Sequence, residues 1–236
     1  MVASLALNGC VTEEAAESPR PAILPIDTLT DDGGRIDKWV RPVRISLAGE
    51  GAEEHRGHVA EWAAALRSVT GHPIAMAEGD NGDLWLVFGT ETPKATLGRH
   101  AEVYAPLYSN EAAMAADLQD DGEEDLCRAK RGMSTENRHE IVYAAGAIPA
   151  GLGGAQTSSC ISRLLVTALG TSGTKSLSNN QAPRPDTSAK AATGIQIILL
   201  KVWYDKRVKP GMTVAEVQPV MNEAMQDVMK ERFKKP

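Results

Sequence analysis

Ile74-Ala75-Met76-Ala77-Glu78-Gly79-Asp80-Asn81-Gly82-Asp83-Leu84-Trp85-Leu86-Val87-Phe88 holds two short apolar runs around a polar centre. Residues 74–77 and 84–88 read as strands, because each is apolar, short and bounded by turn formers. Asp80-Asn81-Gly82-Asp83 between them predicts a hairpin, since Asn-Gly and its neighbours tolerate the left-handed conformation that tight turns need. A hairpin here makes the sheet at least partly antiparallel. The expected fold class is therefore α+β, a small mixed or antiparallel sheet packed with helices.

Working outward, Val43-Arg44-Ile45-Ser46-Leu47 alternates with period two and predicts a strand. Residues 52–69 predict a helix. His55, Val59, Trp62, Leu66 and Val69 recur at spacings of three and four, which puts them on one face. Gly71-His72-Pro73 ends it. Downstream, residues 96–118 read as helix in two pieces, with Ser109 as a cap for the second. Residues 119–138 are charged and show no clear period. Ile141-Val142-Tyr143-Ala144 reads as a strand, 151–159 as a loop of small residues, and 161–169 as a short helix. Residues 170–186 read as a long polar loop. Residues 195–204 are apolar all round, so a buried helix and a buried strand both fit. Thr213-Val214-Ala215-Glu216 is a capping box opening a last helix, in which Pro219 should introduce a kink. Strands and helices do not alternate regularly, and no internal repeat is visible.

The totals narrow the function. The 236 residues suffice for one or two domains, and 42% are apolar, as in ordinary globular chains. The net charge of −6 speaks against a nucleic-acid partner, which would require a basic patch. Lys230, Arg232, Lys234 and Lys235 cluster, but they end a predicted helix, where cations complement the dipole. No apolar run reaches the roughly 18 residues that a membrane helix needs.

Near the start, Leu7-Asn8-Gly9-Cys10 fits the Leu-x-Gly-Cys pattern at which bacterial lipoproteins are cleaved and acylated. A diacylglycerol on Cys10 plus a further acyl chain anchors a soluble domain stably, whereas one chain does not. Nine residues precede Cys10 and none is Lys or Arg, so a working signal peptide requires a start upstream of Met1. Residues 1–10 are then a signal-peptide remnant, 11–37 a polar, Pro-rich tether, and 38–236 a single α+β domain. Only Cys127 and Cys160 remain, and two thiols on the outer side of a membrane can pair. In a cytosolic protein the same residues would read as buried thiols.

Several apparent sites fail on their chemistry. Gly151-Leu152-Gly153-Gly154 lacks the Lys-Ser/Thr of a phosphate loop, and Gln156 stands where a dinucleotide fingerprint has its third glycine. Ser172-Gly173-Thr174-Lys175 and Ser178-Asn179-Asn180 echo serine β-lactamase motifs, but they are adjacent in one polar loop. His55 and His58 stand near Glu53 and Glu54. His55 lies on the apolar helix face and His58 does not, which describes a packed and a surface histidine. No cofactor and no metal ligand set is expected.

The segment Cys160-Ile161-Ser162-Arg163-Leu164-Leu165-Val166-Thr167-Ala168-Leu169-Gly170 is followed by Ser176-Leu177-Ser178-Asn179-Asn180. Then comes Trp203-Tyr204-Asp205-Lys206-Arg207-Val208-Lys209-Pro210-Gly211-Met212-Thr213. This order resembles a bacterial lipoprotein family, the domain of unknown function 2927. Its members show Cys-Ile-x-Glu-Glu-Leu-x-Gln-x-Leu-Gly, Ser-Ile-Phe-Asn-Asp and Leu-Tyr-Asp-x-Arg-x-x-Pro-Gly-Met-Thr in that order. Lys38-Trp39-Val40-Arg41-Pro42-Val43-Arg44-Ile45 resembles the family's opening strand. The resemblance implies a lipid anchor at Cys10, a cysteine upstream of the Cys-Ile motif (here Cys127) and a zincin-like fold. The family's Glu-Glu-x-x-Gln is similar to the zincin His-Glu-x-x-His, whose histidines hold zinc and whose glutamate polarises the bound water. On this chain the ligand, base and ligand positions are Arg163, Leu164 and Thr167. Arginine keeps its proton, leucine has no basic atom, and a lone threonine hydroxyl is a poor zinc ligand.

The expected protein is thus a lipid-anchored domain on the periplasmic side of a bacterial envelope. Its metallopeptidase-like helix has lost its chemistry, and its role is binding or structural, with an envelope protein as partner. The alternative is a hydrolase using another site, for instance His139 or Glu140 with a loop acid. A cytosolic regulator requires the Cys10 pattern to be chance.

Overall fold

A computed structural model of the protein describes residues 34–89, 92–119, 127–149, 151–171 and 195–233. Cys10, the segment before it and residues 172–194 lie outside the described residues. The first strand, β1 (Lys38–Trp39), leads into β2 (Val43–Gly49). Ala52–His55 form one 3-10 turn and α1 (Arg56–Thr70) follows, with Val59, Trp62, Ala63 and Leu66 buried on the face that the periodicity marked. Each such large apolar side chain contributes about 1.5–3 kcal/mol when fully buried. Gly71, at φ 66, closes the helix in the left-handed conformation.

β3 (Ile74–Met76) and β4 (Leu84–Gly89) both form, but not as a hairpin. β2 lies between them. It pairs in parallel with β3 from Val43↔Ile74 and with β4 from Ile45↔Leu84 to Gly49↔Phe88. The polar segment therefore crosses over β2 instead of turning back. Ser46 Oγ donates to the Gly79 carbonyl at 3.1 Å. The chain passes so close that a Cβ on Gly82 would lie 2.5 Å from Ser46 Oγ. Asp83 grips Arg44 through two carboxylate contacts of 2.8 and 2.9 Å, and its N–H donates to the Arg44 carbonyl. The glycine and acids that predict a tight turn serve a crossing of β2.

After β4 come α2 (Pro93–Arg99), α3 (Ala101–Tyr104) and α4 (Glu111–Gln119). Asn110, not Ser109, caps α4: its Oδ1 accepts from the Ala113 N–H at 2.8 Å. Residues 128–133, within the stretch that showed no period, form β5 (Arg128–Met133). β6 (Glu140–Pro149) carries β5 antiparallel along one edge. Along its other edge it takes β1 at Lys38↔Glu140 and then β4 from Leu84↔Ala144 to Gly89↔Pro149, both parallel. The order across the six-stranded sheet is β5, β6, β4, β2, β3, with β1 beside the start of β6. It is a mixed sheet in which four of the pairings are parallel and one antiparallel.

α5 (Gly154–Ala168), α6 (Ile195–Trp203) and α7 (Val214–Phe233) complete the chain. The apolar segment that fitted helix or strand is thus the helix α6. α5 begins inside the stretch of small residues that read as a loop. α7 starts with the predicted capping box: Thr213 Oγ1 accepts from the Glu216 N–H, and Glu216 accepts from the Thr213 N–H at 2.7 Å. It runs on through Pro219. α1, α5, α6 and α7 share the main core on one face of the sheet. Val103, Tyr104, Leu107 and Met114 form a smaller cluster with Val87 and Ala145 on the other. Residues 34–37 of the expected tether belong to the domain, since Ile36 is 0% and Asp37 4% exposed. Among the described residues no helix is long and apolar enough to cross a membrane.

Candidate functional site

α5 carries the positions that the zincin comparison singles out. Gly153 caps it: the Gln156 side chain accepts from the Gly153 N–H, and the Gly153 carbonyl accepts from Gln156 and Thr157. One face of the helix is buried through Cys160, Ile161, Leu164, Leu165 and Ala168. Cys160 forms a disulfide with Cys127 across a Cα separation of 5.7 Å, within the span that such bonds require. Arg163 and Thr167 are half-buried and one turn apart, so they do share a face. Arg163 Nη2 donates to the Cys127 carbonyl at 3.1 Å, which ties α5 to the start of β5. Leu164 lies on β6, where a Cβ added to Gly146 would come within 3.0 Å of its Cδ1. Among the described residues no group of three His, Cys, Asp or Glu side chains could hold a metal ion.

At the amino end of the sheet, polar groups are buried in pairs. His139 Nδ1 lies 2.9 Å from Asp37 Oδ1, and the Arg131 guanidinium lies 3.8 Å from the other carboxylate oxygen. Glu140 faces Arg41 at 3.7 Å. Lys38 Nζ donates to the Val208 carbonyl and sits over the Tyr204 ring, 5.1 Å from its centre. Burial, with help from the nearby Lys209 charge, lowers the Lys38 pKa to about 8. Tyr204 donates to the Leu169 carbonyl at 2.8 Å, and burial pushes its phenol well above the usual range. The Pro210-Gly211-Met212-Thr213 turn clasps residues 34–36. Ile36 N–H donates to Met212, Gly211 N–H to Ile36 and Val214 N–H to Gly34, while Arg35 Nη1 reaches the Gly211 carbonyl. Nearby, Arg207 pairs with Asp205 and holds its carboxylate down at about 2.

The carboxyl end of the parallel strands is organised differently. β2 ends in Gly49 and β4 in Gly89. Between them and α2 lies a cavity of about 250 Å³ lined by Gly49, Glu50, Phe88, Gly89, Thr96, Arg99 and His100. On the opposite face His55 stacks on Phe88 with centroids 4.8 Å apart. One turn on, His58 Nε2 lies 2.5 Å from Ser158 Oγ on α5, and its Nδ1 lies 3.9 Å from Glu61. His55 is packed, as expected. His58 is not a free surface histidine.

A family model described as "Protein of unknown function (DUF2927)" matches residues 24–223. The chain belongs to that family. Comparison with curated proteins and with solved structures finds no match. Within this member of the domain of unknown function 2927, the Trp-Tyr-Asp to Gly-Met-Thr segment closes the fold. Its Tyr204 and Gly211 bind neighbouring chain, and its Arg207 joins Asp205 of the same segment to Glu223 of α7. The alternative catalytic candidates are engaged as well, His139 with Asp37 and Glu140 with Arg41. Two features escaped the sequence. The His58–Ser158 contact joins residues 100 apart, and no local pattern marks it. The cavity could have been suspected from two glycines, each just after an apolar strand, but only once the strands were known to be parallel neighbours.

Proposed function

We propose that this chain is the outer domain of an acylated envelope protein, held to the membrane through Cys10, with a metallopeptidase-like helix that packs instead of cleaving. Its role is to bind. The Cys127–Cys160 disulfide carries this reading, because such bonds persist in oxidising compartments and are rare in the cytosol. Leu7-Asn8-Gly9-Cys10 supplies the anchor in the same compartment, and the net charge of −6 favours a protein or small-molecule partner over nucleic acid. At α5, Arg163 and Leu164 support loss of zinc chemistry, since one bonds a backbone carbonyl and the other is buried on the sheet. The test is radiolabelled palmitate incorporation into the gene product expressed with its upstream region, compared with Cys10→Ala. Label that disappears with the thiol is expected, and equal label in both sinks the anchor. Elemental analysis of protein purified without chelator is expected to find no stoichiometric zinc.

A hydrolase is the second reading, and the His58–Ser158 contact favours it. An imidazole within hydrogen-bond reach of a serine hydroxyl is the pairing that activates a nucleophile. Against it, Ser158 is only 7% exposed inside a helix, and Glu61 is mostly in solvent, where its hold on His58 is weak. A fluorophosphonate probe decides: labelling of Ser158 that His58→Ala abolishes would put the hydrolase first.

A further inference from the structure

β2 and β4 are neighbours in the parallel sheet, but their continuations diverge. β2 feeds α1 on the main-core face, and β4 feeds α2 on the other. Divergence of this kind opens a crevice beyond the carboxyl ends of the strands, the place where open α/β sheets bind small ligands. The cavity of about 250 Å³ lies there, and its size suits a ligand smaller than drug-sized ones. Beside it the two strand ends are glycines because neighbouring chain approaches them closely. A Cβ on Gly49, at φ 93, would fall 1.8 Å from the Phe88 carbonyl oxygen, and one on Gly89 would fall 1.9 Å from Thr96 Oγ1.

The lining is unusual in one group. Thr96 is 2% exposed, and its hydroxyl has no hydrogen-bond partner among the described residues. Buried hydroxyls are nearly always paired, because an unpaired one loses its water without compensation. Arg99 and His100 line the same cavity. A hydroxyl, a guanidinium fork and an imidazole whose Nδ1 lies 3.5 Å from Glu102 thus belong to residues lining one space, and an oxyanion accepts from donors of all three kinds. Glu50, exposed at the strand end, is the one acid on the lining among the described residues and disfavours a large polyanion. We propose that this crevice binds the oxyanion of a small molecule, a carboxylate or a phosphate group, with Thr96, Arg99 and His100 as its donors. The proposal rests on the reading of the domain as a binding module and gives it a site and a ligand chemistry.

Calorimetric titration of the full chain, with its disulfide intact, tests it. The probes are sodium phosphate, sodium acetate and sodium succinate, each alone at fixed ionic strength. Saturable one-to-one heat with phosphate or with the carboxylates is expected, and the arm that saturates names the group. Thr96→Val keeps the shape and removes the donor, so affinity should fall roughly tenfold or more, as for the loss of a hydrogen bond to a charged group. His100→Gln and Arg99→Gln should each weaken binding similarly. No saturable heat with any probe overturns the proposal, and so does undiminished affinity in Thr96→Val. Should Thr96→Val fail to fold, unchanged affinity in both other variants is the overturning result. Palmitate labelling at Cys10 is independent, so a failed anchor and a failed crevice are told apart.

Discussion

The two ends of the parallel sheet handle polar groups in opposite ways. At the amino end Asp37, Lys38 and His139 are 4%, 8% and 6% exposed, and each has a partner within reach. A clasp from residues 211–214 to residues 34–36 seals that end with backbone hydrogen bonds. At the carboxyl end Gly49 and Gly89 let neighbouring chain approach closely, a cavity lies beside them, and the Thr96 hydroxyl is buried with no hydrogen-bond partner among the described residues. Both ends belong to one sheet with one main core, so the difference is one of use. Where polar groups are paired, their removal should cost stability. Where one is unpaired, its removal should cost binding and nothing else.

The largest expected effect is at the sealed end. Asp37→Ala leaves His139 and the Arg131 guanidinium buried without their carboxylate, and breaking a buried ion pair costs about 3–5 kcal/mol. Urea denaturation measures it, and a loss below about 1 kcal/mol would break the contrast. Next comes Cys127→Ser with Cys160→Ser. The bond closes a separation of 33 residues, for which chain entropy gives roughly 3–4 kcal/mol. The unfolding midpoint of the reduced and oxidised wild type, compared with the double variant, checks it: reduction should lower the wild type and leave the variant unmoved.

Much of this architecture was legible in the chain, and what was missed shares one cause. The α1 face was readable because Val59, Trp62 and Leu66 repeat with the helix period, and the Thr213–Glu216 box because capping is local. Strands 74–76 and 84–89 were also readable as strands. Their pairing was not, because β2, some thirty residues upstream of the first of them, lies between the two, and turn chemistry reports nothing about a strand elsewhere in sequence. β5 went unseen for a related reason. Lys130 and Arg131 are charged, Lys130 lies over the Tyr108 ring and Arg131 reaches Asp37, so the strand has no apolar alternation. The site fared worse than the fold. The helix α5 drew attention through Arg163, Leu164 and Thr167, of which Arg163 bonds the Cys127 carbonyl and Leu164 is buried against the sheet. Thr96 and His100 carry no motif and gain meaning only from where two parallel strands end.

The third effect depends on pH. The Lys38 pKa is lowered from the usual 10.5 to about 8, chiefly by burial. Below pH 8 both folded and unfolded chains are protonated there, and the folded state bears the full penalty of a buried charge. Between about pH 8 and 10.5 the folded state has released the proton and the unfolded state has not, so stability should rise with pH across that window. The urea midpoint of the wild type, minus that of Lys38→Met, should climb through this range, and a flat or falling difference would remove Lys38 from the sealed end's account. The smallest effect has the opposite sign from the first. Thr96→Val removes a buried hydroxyl that is unpaired among the described residues, without changing shape, so stability should stay level or rise by up to about 1 kcal/mol. A loss above about 1 kcal/mol by the same urea measurement would mean that the hydroxyl is a structural group like those at the amino end.

The claim that the carboxyl end is the working end is tested most directly by residue-resolved mapping. Titration of the saturating oxyanion into isotope-labelled full chain, followed by backbone amide chemical shifts, is predicted to perturb Gly49, Glu50, Gly89, Thr96 and His100 and to leave Asp37, Lys38 and His139 still. Shifts centred on the Asp37–His139 cluster or on Arg163 and Thr167, or no shifts at any concentration that saturates a small-molecule site, would contradict it.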